Sequence, residues 1–424
     1  MNEFQKYESL LRNYIKDQIP NVLKQPNKTL KHPFVDPGSV YNGNLWDWDS
    51  FWTVYASFSF TDGDAELKEA LIEHAKGNIL NFFDFQADDG YIPMMVDSSE
   101  DGEEPYLVRK HREGIILNMA KPFLCQQITL ISGFSGDYSW ISDFYENLTN
   151  YFACYDKYYY NSNCGMYVWA DDIMIGMDND PATFGRPPYS TANMFLNSFL
   201  VCEFKAMRLI AKQLGKNEDA IAYQEKAEAL VQRIQDECWD KRDKFYYSAD
   251  VDIKTRKFDW FHQGLGVFWK TLPIKIRTWT GFIPLWASFA SKEQAEYIVK
   301  QHILDEATFN SPYGIRALSK DEKMYNCSPT INPSNWLGPI WIIANYVVFR
   351  GLMNYGYRKE AEELYHKILL LLGHDLEKTG TLHEFYVPET GEPVMNGGFL
   401  NWNILVINMA DELQGKESFN QFLS

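Results

Sequence analysis

Residues 191–235 read TANMFLNSFLVCEFKAMRLIAKQLGKNEDAIAYQEKAEALVQRIQ. Residues 191–214 are apolar on most sides. Residues 217–236 carry one stripe only, made of Ala220, Tyr223, Ala227, Leu230 and Ile234. Gly215 stands between them where a C′ residue belongs, since glycine accepts positive φ without strain. A helix that is apolar all round is buried, and a helix with one apolar stripe lies outside it. The stretch therefore predicts a hairpin of one inner and one outer helix.

The same alternation recurs along the chain. Helices opening at Asp64, Asn217, Ser291 and Arg358 have acidic residues in their first turns and a single apolar stripe. Each follows a more uniformly apolar helix. Ser291 to Gln294 is the spelling of a capping box. Helical spacing predicts helices over 5–24, where Pro20 marks an end, then 64–86, 116–132, 138–154, 191–214, 217–236, 262–271, 279–290, 292–304, 337–353, 358–373 and 401–413. A short polar-aromatic ribbon is expected at 240–250. The pattern is that of concentric inner and outer helices, an all-α toroid of helical hairpins. The periods are irregular, and no low-complexity linker divides the chain. One domain over residues 1–424 is the expectation.

Composition narrows the partners. Hydrophobic residues at 46% allow a large core. A formal net charge of -17 argues against nucleic acid and against anionic membranes. No apolar run approaches the roughly 20 residues of a membrane span. The six cysteines contain no C-x-x-C pair and read as reduced, buried thiols. Residues 1–6, Met-Asn-Glu-Phe-Gln-Lys, have no basic region followed by an apolar core, so a cytoplasmic protein is expected. The eight histidines show no metal spacing, and no phosphate-binding glycine loop or nucleophile elbow is present. No metal or organic cofactor is expected. The acidic run Ser98–Glu104 reads as a solvated loop, with calcium a minor alternative.

Two acidic settings carry chemistry. Tyr41-Asn42-Gly43-Asn44-Leu45-Trp46-Asp47-Trp48-Asp49-Ser50-Phe51-Trp52 alternates carboxylates with indoles. It reads either as a helix start whose Asp residues cap backbone N–H groups, or as a sugar platform on which rings stack and Asp49 accepts from hydroxyls. Gly176-Met177-Asp178-Asn179-Asp180-Pro181 sits among Trp169, Phe184, Arg186 and Tyr189, and this setting holds a carboxylate away from bulk water. Far along the chain, His383-Glu384-Phe385-Tyr386 supplies a second acid. From the residues alone, Asp178 is equally a helix cap before Pro181, and Glu384 a surface residue on a hairpin. Asp171, Asp172 and Asp180 are competing acids close to Asp178 in sequence.

Five stretches in order resemble glycoside hydrolase family 63 and its family 37 relatives. They are Trp46–Phe51, Gly176–Pro181, Phe282–Leu285, Asn335–Trp341 with Asn345-Tyr346 and Arg350–Leu352, and Glu384–Gly391. The relatives include α-glucosidases, mannosylglycerate and glucosylglycerate hydrolases, and trehalases. The resemblance implies an (α/α)6 barrel and an inverting α-glycosidase that acts from the chain end of a small α-glucoside or related α-glycoside. Matched motif by motif, it makes Asp178 the general acid and Glu384 the general base. It puts Tyr41, Trp46, Trp48 and Asp49 around the cleaved sugar, Trp336 and Trp341 in the cleft wall, and Arg186 in a loop where relatives often carry a basic residue. Inversion needs a water between base and anomeric carbon, hence carboxylates about 6.5–9.5 Å apart. The acid needs a raised pKa, to which Asp180 is expected to contribute.

The chain departs from the relatives at two places. Ala120-Lys121-Pro122-Phe123 stands where they often carry Gln before a proline pair, so Lys121 is expected to face the ligand as a cation. Asn335-Trp336-Leu337-Gly338 lacks the Tyr and Arg found in glycerate-releasing relatives. Glucosylglycerate or mannosylglycerate hydrolysis and trehalose hydrolysis stay open as alternatives. So do two other classes on the same barrel: a sugar epimerase, which needs converging histidines, and a non-catalytic sugar-binding protein.

Overall fold

The computed structural model describes residues 2–97, 110–111, 115–172, 175–253, 269–328 and 334–419. Among these, twelve α-helices follow one another: α1 Glu3–Val22, α2 Asp47–Ser57, α3 Ala65–Asp84, α4 Leu124–Ser135, α5 Tyr145–Tyr158, α6 Met194–Gln213, α7 Asn217–Glu237, α8 Ile283–Trp286, α9 Lys292–Ile298, α10 Ile342–Asn354, α11 Arg358–Thr379 and α12 Leu405–Leu413. The even-numbered helices pack in a closed ring, α2 on α4, α6, α8, α10, α12 and back to α2. The odd-numbered ones lie outside. Helix α7 packs along α6, and α11 against α1, α10 and α12. The chain is an (α/α)6 barrel.

Side-chain chemistry explains the two rings. Every residue of α2 is buried, and nearly every residue of α6 and α10. Helix α7 buries only Tyr223, Ala227, Leu230 and Ile234, the stripe legible in the sequence. Helix α1 buries Tyr7, Leu11, Ile15, Ile19 and Val22 in the same way. One continuous hydrophobic cluster runs through both rings.

The capping box at Ser291 is present, with Gln294 N bonded to Ser291 Oγ at 3.1 Å and Ser291 N to Gln294 Oε1 at 2.7 Å. Gly215 has a φ of +74° at the end of α6. Boundaries differ from expectation at several helices: α8 is confined to Ile283–Trp286, α9 ends at Ile298, α11 runs on to Thr379, and three others have a visible cause. Pro20 lies inside α1, because the buried stripe continues to Val22 beyond it. Helix α4 starts at Leu124 rather than 116. Residues ahead of it are drawn into extended pairing, Ala120 N with Ile92 O and Lys121 N with Asp47 Oδ2. Helix α10 starts at Ile342 rather than 337, because Ile340 pairs with Tyr386 like a strand. Most of the expected helix at 262–271, and the acidic run Ser98–Glu104, lie outside the described residues.

The two ends of the barrel are unlike. Turns from inner to outer helix are short, as at 214–216 and 355–357. Segments from outer to inner helix are long and carry two-stranded ribbons, among them Leu45–Trp46 with Met95–Val96 and Phe385–Tyr386 with Pro393–Met395. All the inner-helix N-termini therefore open toward the long loops. Their partial positive charge falls where acidic side chains gather.

Candidate active site

The long loops close around an open pocket of about 460 Å³, lined by Tyr41, Trp46, Trp48, Asp49, Lys121, Gly176, Asp178, Ser334, Trp336, Trp341, Glu384 and Trp402. Loops before α2, α4, α6, α10 and α12 each contribute. Nine of the ten residues singled out in the sequence meet here. Arg186 does not. Its guanidinium is held by Asp250 Oδ2 at 2.6 Å and Thr191 Oγ1 at 3.0 Å, away from the pocket. The three-stranded ribbon of Thr191–Ala192, Ala249–Asp250 and Leu272–Pro273 sets that pair, because it puts Asp250 opposite Thr191.

Tyr41 follows a tight turn fixed by Asp36, whose carboxylate accepts from Gly38 N at 3.1 Å and Gly43 N at 2.7 Å. The Tyr41 hydroxyl donates to Glu384, at 3.2 Å from Oε1 and 3.4 Å from Oε2. Asn396, on the returning arm of the ribbon, donates its amide to Oε2 of the same carboxylate. Burial pushes Glu384 up to about 8, the charges of Asp49 and Asp178 add to the rise, and the donors Asn396 and Tyr41 oppose it. The hairpin reading of Glu384 holds for the backbone, but the side chain is buried at 3% exposure rather than on the surface.

Asp49 sits in the first turn of α2, and its Oδ1 accepts from Asn401 Nδ2 at 2.6 Å. Burial lifts it to about 7, opposed most strongly by the Lys121 ammonium. Asp47 carries the capping half of the sequence reading, since it accepts from its neighbour Trp48 N at 2.6 Å. Three carboxylates, Asp49, Asp178 and Glu384, thus share one partly desolvated space. Such groups titrate as a cluster and cannot all ionise at their ordinary pKa.

The Asp178 loop turns at Gly176, whose φ is +87°. The positive φ favours glycine, and a Cβ there would make tight contacts with Lys121 Cε and Trp48 Cε2 at 3.2 Å each. Asn179 fastens this loop to the next one. Its Oδ1 accepts from Trp336 N at 2.7 Å, and its Nδ2 donates to Asn335 Oδ1 at 3.1 Å. Asp180 is buried away from the pocket, bound to Asn193 Nδ2 at 2.8 Å and Thr183 Oγ1 at 3.2 Å, and burial lifts it to about 6. It ties the loop to the start of α6. The acids that line the pocket with Asp178 are Asp49 and Glu384.

Indoles make the wall. Trp336 and Trp341 stack at 3.8 Å with 7° between planes, Trp48 stands 6.0 Å from Trp336, and Trp402 bridges Trp48 at 5.3 Å and Trp341 at 5.7 Å. Trp402 was missed in the sequence. The signal that finds it is its position in Asn401-Trp402-Asn403, just ahead of an inner helix, as Trp48 stands at the head of α2. Among the described residues, the indole N–H groups of Trp46 and Trp402 have no partner within the protein. An array of carboxylates and ring faces is the chemistry of a polyhydroxylated ring.

The model of the mannosylglycerate hydrolase MGH1-like glycoside hydrolase domain matches residues 43–403. The chain belongs to this glycoside hydrolase family. Within curated proteins, it is 27% identical over 57% of its length to a probable mannosyl-oligosaccharide glucosidase of Schizosaccharomyces pombe, covering 29% of that protein. It is 27% identical over 39% of its length to mannosylglycerate hydrolase MGH1 of Selaginella moellendorffii, covering 30% of it. The chain thus spans less than a third of the length of these relatives. A GH63 mannosylglycerate hydrolase structure from Thermus thermophilus, solved with glucose, superposes with a TM-score of 0.68 at 18% identity, over 93% of this chain and 99% of that one. Neutral trehalase Nth1 of Saccharomyces cerevisiae superposes at 0.63 with 16% identity, over 93% and 79%. At these identities the superpositions speak for the barrel. Among the described residues no helix is long and apolar enough to cross a membrane.

Proposed function

We propose that the chain is an inverting, exo-acting α-glycosidase acting on a small α-glucoside or related α-glycoside. The observation that carries the reading is the convergence of Asp178 and Glu384, remote in the chain, on one indole-walled pocket of a glycoside hydrolase barrel. Asp178 is the general acid, giving its proton to the glycosidic oxygen. Glu384 is the general base, taking a proton from the water that attacks the anomeric carbon on the opposite face. Tyr41 and Asn396 hold the Glu384 carboxylate. Trp46, Trp48 and Asp49 grip the sugar, and Trp336 and Trp341 wall it. Fixed partners on both carboxylate loops supply orientation without reorganisation during the step.

The pocket is lined by five indoles and three carboxylates, which suits a sugar ring. No histidine lines it among the described residues, which disfavours the epimerase reading. The family model favours a second substrate, mannosylglycerate, against which the Asn335-Trp336-Leu337 departure stands. Six free thiols fit a reducing, cytoplasmic setting, and the continuous core fits one domain. The test is a screen of aryl α-glycosides, α-linked disaccharides and α-glycosyl glycerates, read by the monosaccharide released. Release of a single hexose from the non-reducing end supports the reading. No release from any of these substrates contradicts it.

A further inference from the structure

Lys121 is more buried than sugar contact requires. Its side chain is 1% exposed, and its ammonium lies 2.8 Å from Asp47 Oδ1, itself 1% exposed. The Asp47 carboxylate already accepts two backbone N–H groups, from Trp48 and from Lys121, each at 2.6 Å. It does not need the ammonium to satisfy its hydrogen bonds. Burying such an ion pair is a weak source of stability. Among the described residues, Asp47 is the one charged acceptor bonded to the ammonium. The remaining contact is with Met94 Sδ at 4.0 Å. The charge also lies 5.9 Å from the Trp48 ring, and the residue lines the sugar pocket. Its stem packs against Gly176, where a Cβ would lie 3.2 Å from Lys121 Cε.

Three carboxylates face this one cation across the pocket: Asp49 from α2, Asp178 from the loop before α6 and Glu384 from the loop before α12, with Tyr41 beside Glu384. Asp47 is the fourth acid, on the far side of the ammonium. We propose that Lys121 is a positioning residue for hydrolysis: a buried counter-charge to the carboxylates of the pocket it lines, whose stem also packs against Gly176 in the Asp178 loop. The idea rests on the glycosidase reading and assigns Lys121 a task other than ligand contact. Lys121 opposes the burial of Asp49 more strongly than Asp47 reinforces it, so the pair leaves Asp49 net favoured as a carboxylate. The charge of Asp49 raises the proton affinity of Glu384, so the cation acts on the coupled cluster rather than on Asp49 alone.

The test compares wild type, Lys121→Met, Asp47→Asn and the double variant. The readouts are the pH profile of kcat/KM on 4-nitrophenyl α-D-glucopyranoside and α-D-mannopyranoside, and calorimetric titration with 1-deoxynojirimycin across pH. Methionine keeps the stem and removes the charge. Losing the cation raises the proton affinity of the coupled carboxylate cluster as a whole, so the acid limb of Lys121→Met moves to higher pH by about one unit, tenfold in proton affinity. Asp47→Asn moves it the opposite way. The double variant, in which no buried charge is left unpaired, keeps a smaller upward shift and guards against misfolding of the single variant. Limbs unchanged in all three variants, or both single variants shifted in the same direction, overturn the proposal while leaving the glycosidase reading intact. A wild type that neither cleaves the glycosides nor binds the iminosugar removes that reading and this inference together.

Discussion

The Tyr41 hydroxyl bridges both oxygens of Glu384, at 3.2 and 3.4 Å. A phenol can donate only one proton, so this contact favours the ionised carboxylate, as does the Asn396 amide. Burial and the nearby acids act in the other direction and prevail, pushing Glu384 up to about 8. A base must be ionised to accept from water. The rate therefore falls as pH drops through the cluster's raised pKa, far above the 4.5 of a free glutamic acid. Tyr41→Phe removes a stabiliser of the anion, so the acid limb of kcat/KM moves further up, by about one unit. A limb that stays in place, or moves down, contradicts the assignment of Glu384.

Removing either acid tests the pair directly. Asp178→Asn and Glu384→Gln are each expected to lower kcat by at least about a thousandfold. Both preserve shape, so thermal unfolding and circular dichroism should stay close to wild type. A variant that keeps near-normal turnover takes its residue out of the mechanism.

Gly176→Ala strains a backbone at φ +87° and drives a methyl against Lys121 and Trp48. Positive φ alone costs a β-carbon about 1–2 kcal/mol. The displacement falls on Asp178 two residues on, so kcat should drop at least tenfold with a smaller change in KM. Steady-state kinetics at the wild-type pH optimum read this split. A change confined to KM argues against the loop as carrier of the acid.

Arg186→Ala should leave KM and kcat within about twofold of wild type, because its partners are Asp250 and Thr191. The ion pair is partly exposed, so its loss costs less than about 1 kcal/mol. A tenfold rise in KM would return Arg186 to the ligand.

The barrel was legible because its two rings differ in the property that sequence displays best. Helices such as α6 are apolar on all faces, and α7 has one stripe, so inner and outer could be sorted before any contact was known. What the residues could not reveal was where loop side chains point. Arg186 and Lys121 are both cations beside proline residues near a candidate acid, yet one turns to Asp250 and the other to Asp47 under the pocket. That choice is made by ribbon pairing between distant segments. Helix starts at α4 and α10 slipped for the same reason, since Lys121 and Ile340 are claimed by partners 74 and 46 residues away.

The central claim is that a water held by Glu384 attacks the face opposite the bond protonated by Asp178. Proton NMR of the first product formed, recorded before mutarotation on a cleaved α-glycoside, reads that geometry most directly. The account predicts the β-anomer first. An initial α-anomer would mean retention and would contradict it.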